Sequence, residues 1–124
     1  MQTVLVVDDE CNIRNVLDFS LGAEGYRVLE ACDGLEAMVM ARREHPDLII
    51  LDVMMPHVDG FEVCRRLKDD RRTSSIPVIL LTARSNRDDR HLGEQMKADA
   101  YITKPFSPNR LLETVHSLLG VPKG

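Results

Sequence analysis

Four apolar runs in this 124-residue chain end in side chains that can do chemistry. Val4-Leu5-Val6-Val7 runs into Asp8-Asp9, and Leu48-Ile49-Ile50-Leu51 into Asp52. Val78-Ile79-Leu80-Leu81 runs into Thr82, and Ala100-Tyr101-Ile102-Thr103 into Lys104-Pro105. Singly, each has an ordinary explanation: an Asp or Thr after a strand caps the next helix, and a lone Lys is a solvated charge. Four at one rim of one sheet reach a single cleft. Asp8, Asp9 and Asp52 bring three negative charges together, and at ~5 Å and an effective dielectric of ~20 each close pair costs about 3 kcal/mol. Such a cluster calls for a cation. A divalent ion together with Lys104 brings the sum to zero, and oxygen-only ligands with few carboxylates favour Mg²⁺, which also pairs with phosphate oxygens. A Mg²⁺ and a Lys converging on one carboxylate is what phosphoryl transfer to that carboxylate requires. Lys104 would pair with one equatorial oxygen, and the Thr82 hydroxyl would donate to another.

The elements that must position these groups alternate along the chain. After the first strand, Ile13, Val16, Leu17 and Leu21 mark one face of a helix closed by Gly25. Tyr26 to Ala31 reads as a second strand, its apolar run broken by Arg27 and Glu30. Asp33-Gly34-Leu35-Glu36 and Asp59-Gly60-Phe61-Glu62 both have the reciprocal spacing of a capping box. The first opens a helix to about Glu44, and the second a helix carrying Phe61, Cys64 and Leu67. A polar helix is expected from about Ser85 to Met96. Ser107 as N-cap and Pro108 at the first helical position start the last helix, with Leu111, Leu112, Val115, Leu118 and Leu119 on its apolar face. Gly120 and Pro122 stop it. Five strands alternating with five helices predict a single-domain, doubly wound α/β fold with a parallel sheet. The uninterrupted runs at Val4, Leu48 and Val78 belong in the middle and the mixed second and fifth strands at the edges, giving the flavodoxin-like order 2-1-3-4-5. The domain is placed at residues 1–120, with 121–124 as a tail or the start of a linker.

Bulk properties narrow the function. Apolar residues make up 44% and charged residues 29%, an ordinary soluble balance. Net charge is −4 with scattered Arg and Lys, which argues against direct nucleic-acid binding. No apolar run approaches the ~20 residues of a membrane span, and no basic leader opens the chain, so a cytoplasmic location is expected. Cys11, Cys32 and Cys64 are odd in number and lack ligand spacing, so they read as reduced thiols.

The motifs resemble those of the response-regulator receiver domain over about Thr3 to Leu119. They are Val-Asp-Asp-Glu at 7–10, Leu-Asp-Val-Met-Met-Pro-His-Val-Asp-Gly-Phe at 51–61, Leu-Thr-Ala at 81–83 and Tyr-Ile-Thr-Lys-Pro-Phe at 101–106. The resemblance implies a two-component signalling switch, a phosphoacceptor regulator rather than an enzyme of turnover. Asp52 would take a phosphoryl group from a sensor histidine kinase or histidine phosphotransfer protein and later lose it by autodephosphorylation. It also implies Mg²⁺ held directly by Asp9 and Asp52, through water by Asp8, and by the Met54 carbonyl. Thr82 and Tyr101 would form the switch pair, Lys104-Pro105 a cis bond, and the output a downstream protein or appended domain.

Two positions depart from the family pattern. Lys97 stands where a C-capping Gly is usual, which predicts a left-handed backbone there. Ala100 stands where a second acid often follows Asp99. In the receiver class that dimerises to drive winged-helix DNA binding, the resemblance would also place an acid early in the last helix and an Arg one turn later. This chain has Arg110 and Thr114. That predicts an output without the salt-bridged dimer. A haloacid-dehalogenase-type phosphatase needs a second Asp two residues after the nucleophile, where this chain has Met54, and a cap domain it has no length for. A flavin module needs a phosphate cradle where this chain has acids. A docking module that is never phosphorylated has no use for the full set of Asp8, Asp9, Asp52, Thr82 and Lys104.

Overall fold

The computed structural model describes residues 1–55, 58–82 and 97–120. Five parallel strands form one sheet: β1 (Thr3–Val7), β2 (Arg27–Ala31), β3 (Leu48–Asp52), β4 (Val78–Thr82) and β5 (Ala100–Thr103). Their order is β2-β1-β3-β4-β5, as the burial pattern of the sequence predicts. β3 and β4 are buried along their whole length, as is β1 beyond Thr3, because helices cover both faces. β2 and β5 carry exposed residues at the two edges.

Around the sheet lie α1 (Cys11–Ala23), α2 (Gly34–Glu44), α3 (Gly60–Asp69) and α4 (Pro108–Leu119). Successive strand residues point to opposite faces. Leu5, Val7, Ile49, Leu51 and Leu80 therefore meet α2 and α3 through Ala37, Met38, Phe61, Cys64 and Leu67. Val4, Val6, Leu48, Ile50 and Ile79 meet α1 and α4 through Leu17, Leu21, Leu111 and Val115. Truncating one fully buried member such as Ile50 to Ala costs about 2–5 kcal/mol. No helix among the described residues is long and apolar enough to cross a membrane.

Local expectations fared unevenly. Lys97 has φ 64°, the left-handed backbone expected of it, and Lys104–Pro105 is cis. Asp33 caps α2 by accepting from the Glu36 N–H at 2.8 Å. Its partner carboxylate, however, faces the Cys32 thiol, 3.3 Å away. Asp59 accepts from Phe61 N–H at 2.9 Å rather than from Glu62, whose carboxylate is drawn to Arg65 and Arg66 one turn on. Ser107 is the N-cap of α4, yet its side chain makes no capping bond. Val16 does not share the buried stripe of Leu17 and Leu21: one residue is about 100° around a helix, and Val16 lies exposed on its flank. A short antiparallel ribbon, Met54–Met55 with Val58–Asp59, was not foreseen. The polar helix expected at about 85–96 and the tail at 121–124 lie outside the described residues.

Candidate functional site

All five strands point their carboxyl ends to one rim, and the acidic loop sits where β1 and β3 are neighbours. Asp8 follows β1 directly and has no solvent exposure. Its N–H continues the ladder to Ala31 O at 3.2 Å, and its Oδ1 accepts from Glu10 N–H at 2.9 Å. Asp52 is the last residue of β3 and is 1% exposed. Its Oδ1 accepts from Met54 N–H at 3.0 Å, which bends the following loop over the carboxylate. Asp9 is the exposed member of the group. Asp8, Asp9 and Asp52 each offer an oxygen within 4.8 Å of the others, so the structure joins the three acids the sequence singled out.

Lys104 completes the group. Its Nζ lies 3.1 Å from Asp8 Oδ2 and 3.1 Å from Asp52 Oδ2, one ammonium shared by two buried carboxylates. Burial opposes its charge, but the pull of Asp52 and Asp8 outweighs that and raises its pKa. Burial pushes the Asp8 carboxyl up, aided by the charge of Asp52 and resisted by the Glu10 N–H and Lys104. Among the described residues, three carboxylates against one ammonium leave negative charge to be met. A hard divalent cation with all-oxygen ligands fits this donor set.

The loop after Asp52 is held by a close backbone approach. A Cβ on Gly60, the first residue of α3, would lie 2.4 Å from Val53 Cα and 2.6 Å from the Asp52 carbonyl oxygen. Only a residue without a side chain lets α3 start there. Thr82 ends β4, is 2% exposed, and its carbonyl accepts from Lys104 N–H at 2.6 Å. Thr82 and Tyr101 line one cavity of about 470 Å³ together with Thr103, Phe106, Ser107 and Arg110. The expected switch pair therefore does face a common space. Sequence reasoning missed Gly60 as a site residue and missed Arg14, whose Nη1 donates to the Asp8 carbonyl at 2.8 Å. Gly60 stood in the motif at 51–61, but nothing in the sequence signalled Arg14.

A family model described as the response regulator receiver domain matches residues 4–116. Among curated relatives, the probable transcriptional regulator ycf27 of Porphyridium aerugineum is 47% identical over 95% of this chain and 48% of its own length. The DNA-binding dual master transcriptional regulator RpaA of Synechocystis is 43% identical over 96% of this chain and 49% of its own. The chain thus spans about half the length of the curated relatives it matches. Among solved structures, the chemotaxis protein CheY4 of Vibrio cholerae superposes with a TM-score of 0.90 at 34% identity, covering 95% of this chain and 98% of that one. The receiver domain of the sensor histidine kinase PA1611 of Pseudomonas aeruginosa, solved with a magnesium ion coordinated in its active-site cleft, gives 0.88 at 30% identity, covering 96% and 98%. With this site on this fold, the chain belongs to the response regulator receiver domain family, whose general function is phosphorylation-dependent signalling.

Proposed function

We propose that Asp52 is the phosphoacceptor of a two-component phosphorelay and that the transfer depends on Mg²⁺. One observation carries the reading: a buried carboxylate at the end of a central strand, with Lys104 on one oxygen and two further carboxylates within 4.8 Å. An Asp52 oxygen attacks the phosphorus of a phosphohistidine. The phosphorus–nitrogen bond breaks, its electron pair stays on the imidazole nitrogen, and the acyl phosphate remains on Asp52. Lys104 neutralises an equatorial oxygen, and the Thr82 hydroxyl donates to another. Water attack on the phosphorus later restores the carboxylate and releases phosphate. Asp9 and Asp52 directly, Asp8 through water and the Met54 carbonyl would hold Mg²⁺, which supplies charge neutralisation on the transferring group. The magnesium in the Pseudomonas receiver supports that choice of ion.

The phosphoryl donor is a sensor histidine kinase or a histidine phosphotransfer protein, and the domain acts in the cytoplasm as a regulator rather than an enzyme of turnover. Thr82 and Tyr101 relay the state, Tyr101 turning inward as the hydroxyl of Thr82 engages the phosphoryl group. The named relatives are transcriptional regulators of about twice this length, so the domain is read as controlling an appended or separate output part. A dimer paired through Asp99 is not expected. That carboxylate already accepts from Lys68 Nζ and from Val78 N–H, each at 2.8 Å.

Mass spectrometry after incubation with acetyl phosphate tests the assignment. One phosphoryl group is expected on the native chain with Mg²⁺ and none without it. Phosphate found on an Asp52→Ala protein would overturn it.

A further inference from the structure

Asp8 is engaged at all of its polar positions, and three of the four have an obvious reason. Its N–H extends the sheet, Oδ1 closes the turn to Glu10, and Oδ2 meets Lys104. The fourth is the carbonyl, which accepts from Arg14 Nη1 at 2.8 Å. A carbonyl at the rim of a sheet can be satisfied by water, so the fold does not demand a guanidinium there. Arg14 is also fixed at its other donor: its Nε lies 3.2 Å from Glu30 Oε1, and its side chain is only 21% exposed. The planar fork therefore spans from the start of α1 across the acidic loop to the edge strand β2.

The Asp8 carbonyl and the Asp9 N–H belong to one rigid peptide plane. Whatever holds that carbonyl sets the plane, and the plane sets the direction in which Asp9 leaves the chain. Asp9 is the solvent-facing member of the three-carboxylate group, so its direction is the one least constrained by packing.

We propose that Arg14 is a positioning residue for the cation site, orienting the Asp8–Asp9 peptide with Glu30 as its anchor. The inference rests on reading Asp8, Asp9 and Asp52 as the Mg²⁺ site. Arg14 touches neither the ion nor the phosphoryl group. Charge alone makes the opposite prediction, because removing a cation beside an acidic cluster favours Mg²⁺ binding. The sign of the effect therefore separates positioning from electrostatics.

The test is calorimetric titration of Mg²⁺ into the unphosphorylated chain, its Arg14→Gln and Arg14→Lys variants and Glu30→Gln. Urea melts alongside identify any variant that fails to fold, and Arg14→Lys keeps the charge while losing the fork. Both Arg14 variants should bind Mg²⁺ about tenfold more weakly, the lower end of what losing an outer-shell partner costs. Glu30→Gln should lose less, roughly threefold, because the Arg14 bond to Asp8 survives. Hydrogen exchange at the Glu10 amide, which Asp8 Oδ1 holds at 2.9 Å just beyond the Asp8–Asp9 peptide, read without metal, should quicken in both Arg14 variants. Unchanged or tighter binding in a folded Arg14 variant overturns the inference, as does unchanged exchange at Glu10. A native chain that binds no Mg²⁺ overturns the metal-site reading, and this inference with it.

Discussion

The two ends of the sheet each hold a Lys–Asp contact between distant parts of the chain. At the amino-terminal rim Lys68, 10% exposed, pairs one-to-one with Asp99 and also donates to the Ile76 carbonyl at 2.7 Å. The same Asp99 oxygen accepts from Val78 N–H, so the pair sews α3 to the start of β4 and the turn before β5. Charge there is balanced and the backbone takes up what is left. At the carboxyl-terminal rim Lys104 is split between two carboxylates with a third beside them. Both rims contain buried or half-buried ions, yet among the described residues only one is left short of positive charge. Imbalance, rather than burial or ion pairing, separates the site that awaits a ligand from the one that holds the fold together.

Substitutions sharpen that difference, beginning with the largest effect. Gly60→Ala drives a methyl into backbone on the site side, where nothing can swing away. It should cost about 3 kcal/mol in urea melts and slow phosphorylation of Asp52. An unchanged midpoint would mean that α3 does not press on the Asp52 peptide. Neutralising an acid should then have opposite signs at the two rims. Asp52→Asn relieves repulsion with Asp8 and Asp9 and should raise metal-free stability by about 2 kcal/mol, a gain that shrinks with Mg²⁺. Asp99→Asn weakens a balanced pair and should lower stability by about 1 kcal/mol, with Mg²⁺ making no difference. Equal signs would dissolve the distinction.

Acid titration probes the same imbalance more gently. The Asp8 carboxyl is raised above its ordinary value of 3.8, chiefly by burial, so the folded chain binds that proton more readily than the unfolded one. The stability this gives is present at low pH and is lost as pH rises from the ordinary carboxylate range through the raised folded value. Hydrogen bonds from Arg65 and Arg66 hold Glu62 at about 2 on the surface of α3, and its contribution runs the other way, fading as pH falls. Metal-free Asp8→Asn protein should therefore lose stability more steeply on acidification than the native chain, as followed by thermal melts. Parallel curves would place Asp8 in an unremarkable environment. The smallest effect belongs to Lys97→Gly, which removes a side chain from a left-handed position and should gain about 0.5–1 kcal/mol.

Much of this was legible in the residues themselves. Uninterrupted apolar runs marked the central strands, and strand ends marked the site, because burial on both faces leaves polar groups nowhere else to go. Lys97 and the cis bond before Pro105 were legible through the family likeness of their motifs. What escaped was long-range or competitive. Lys68 meets Asp99 across 31 positions, and Arg14 meets Glu30 across 16, distances that no periodicity encodes. Glu62 had the spacing to cap its own helix but also had two arginines within a turn, and the nearer guanidinium groups won.

The placement of the two tyrosines has a spectroscopic consequence. The chain has no tryptophan, so its intrinsic emission comes from Tyr26 and Tyr101 alone. Tyr26 is 4% exposed, packs beside the His116 ring at the amino-terminal rim, and its hydroxyl has no hydrogen-bond partner among the described residues. Tyr101 lines the cavity it shares with Thr82, the residue that ends β4 beside the site. One fluorophore is thus sheltered at the far rim and the other borders the cavity beside Thr82. Phosphorylation of unlabelled protein should change the summed tyrosine emission, a response that Tyr26→Phe should leave intact and Tyr101→Phe should abolish.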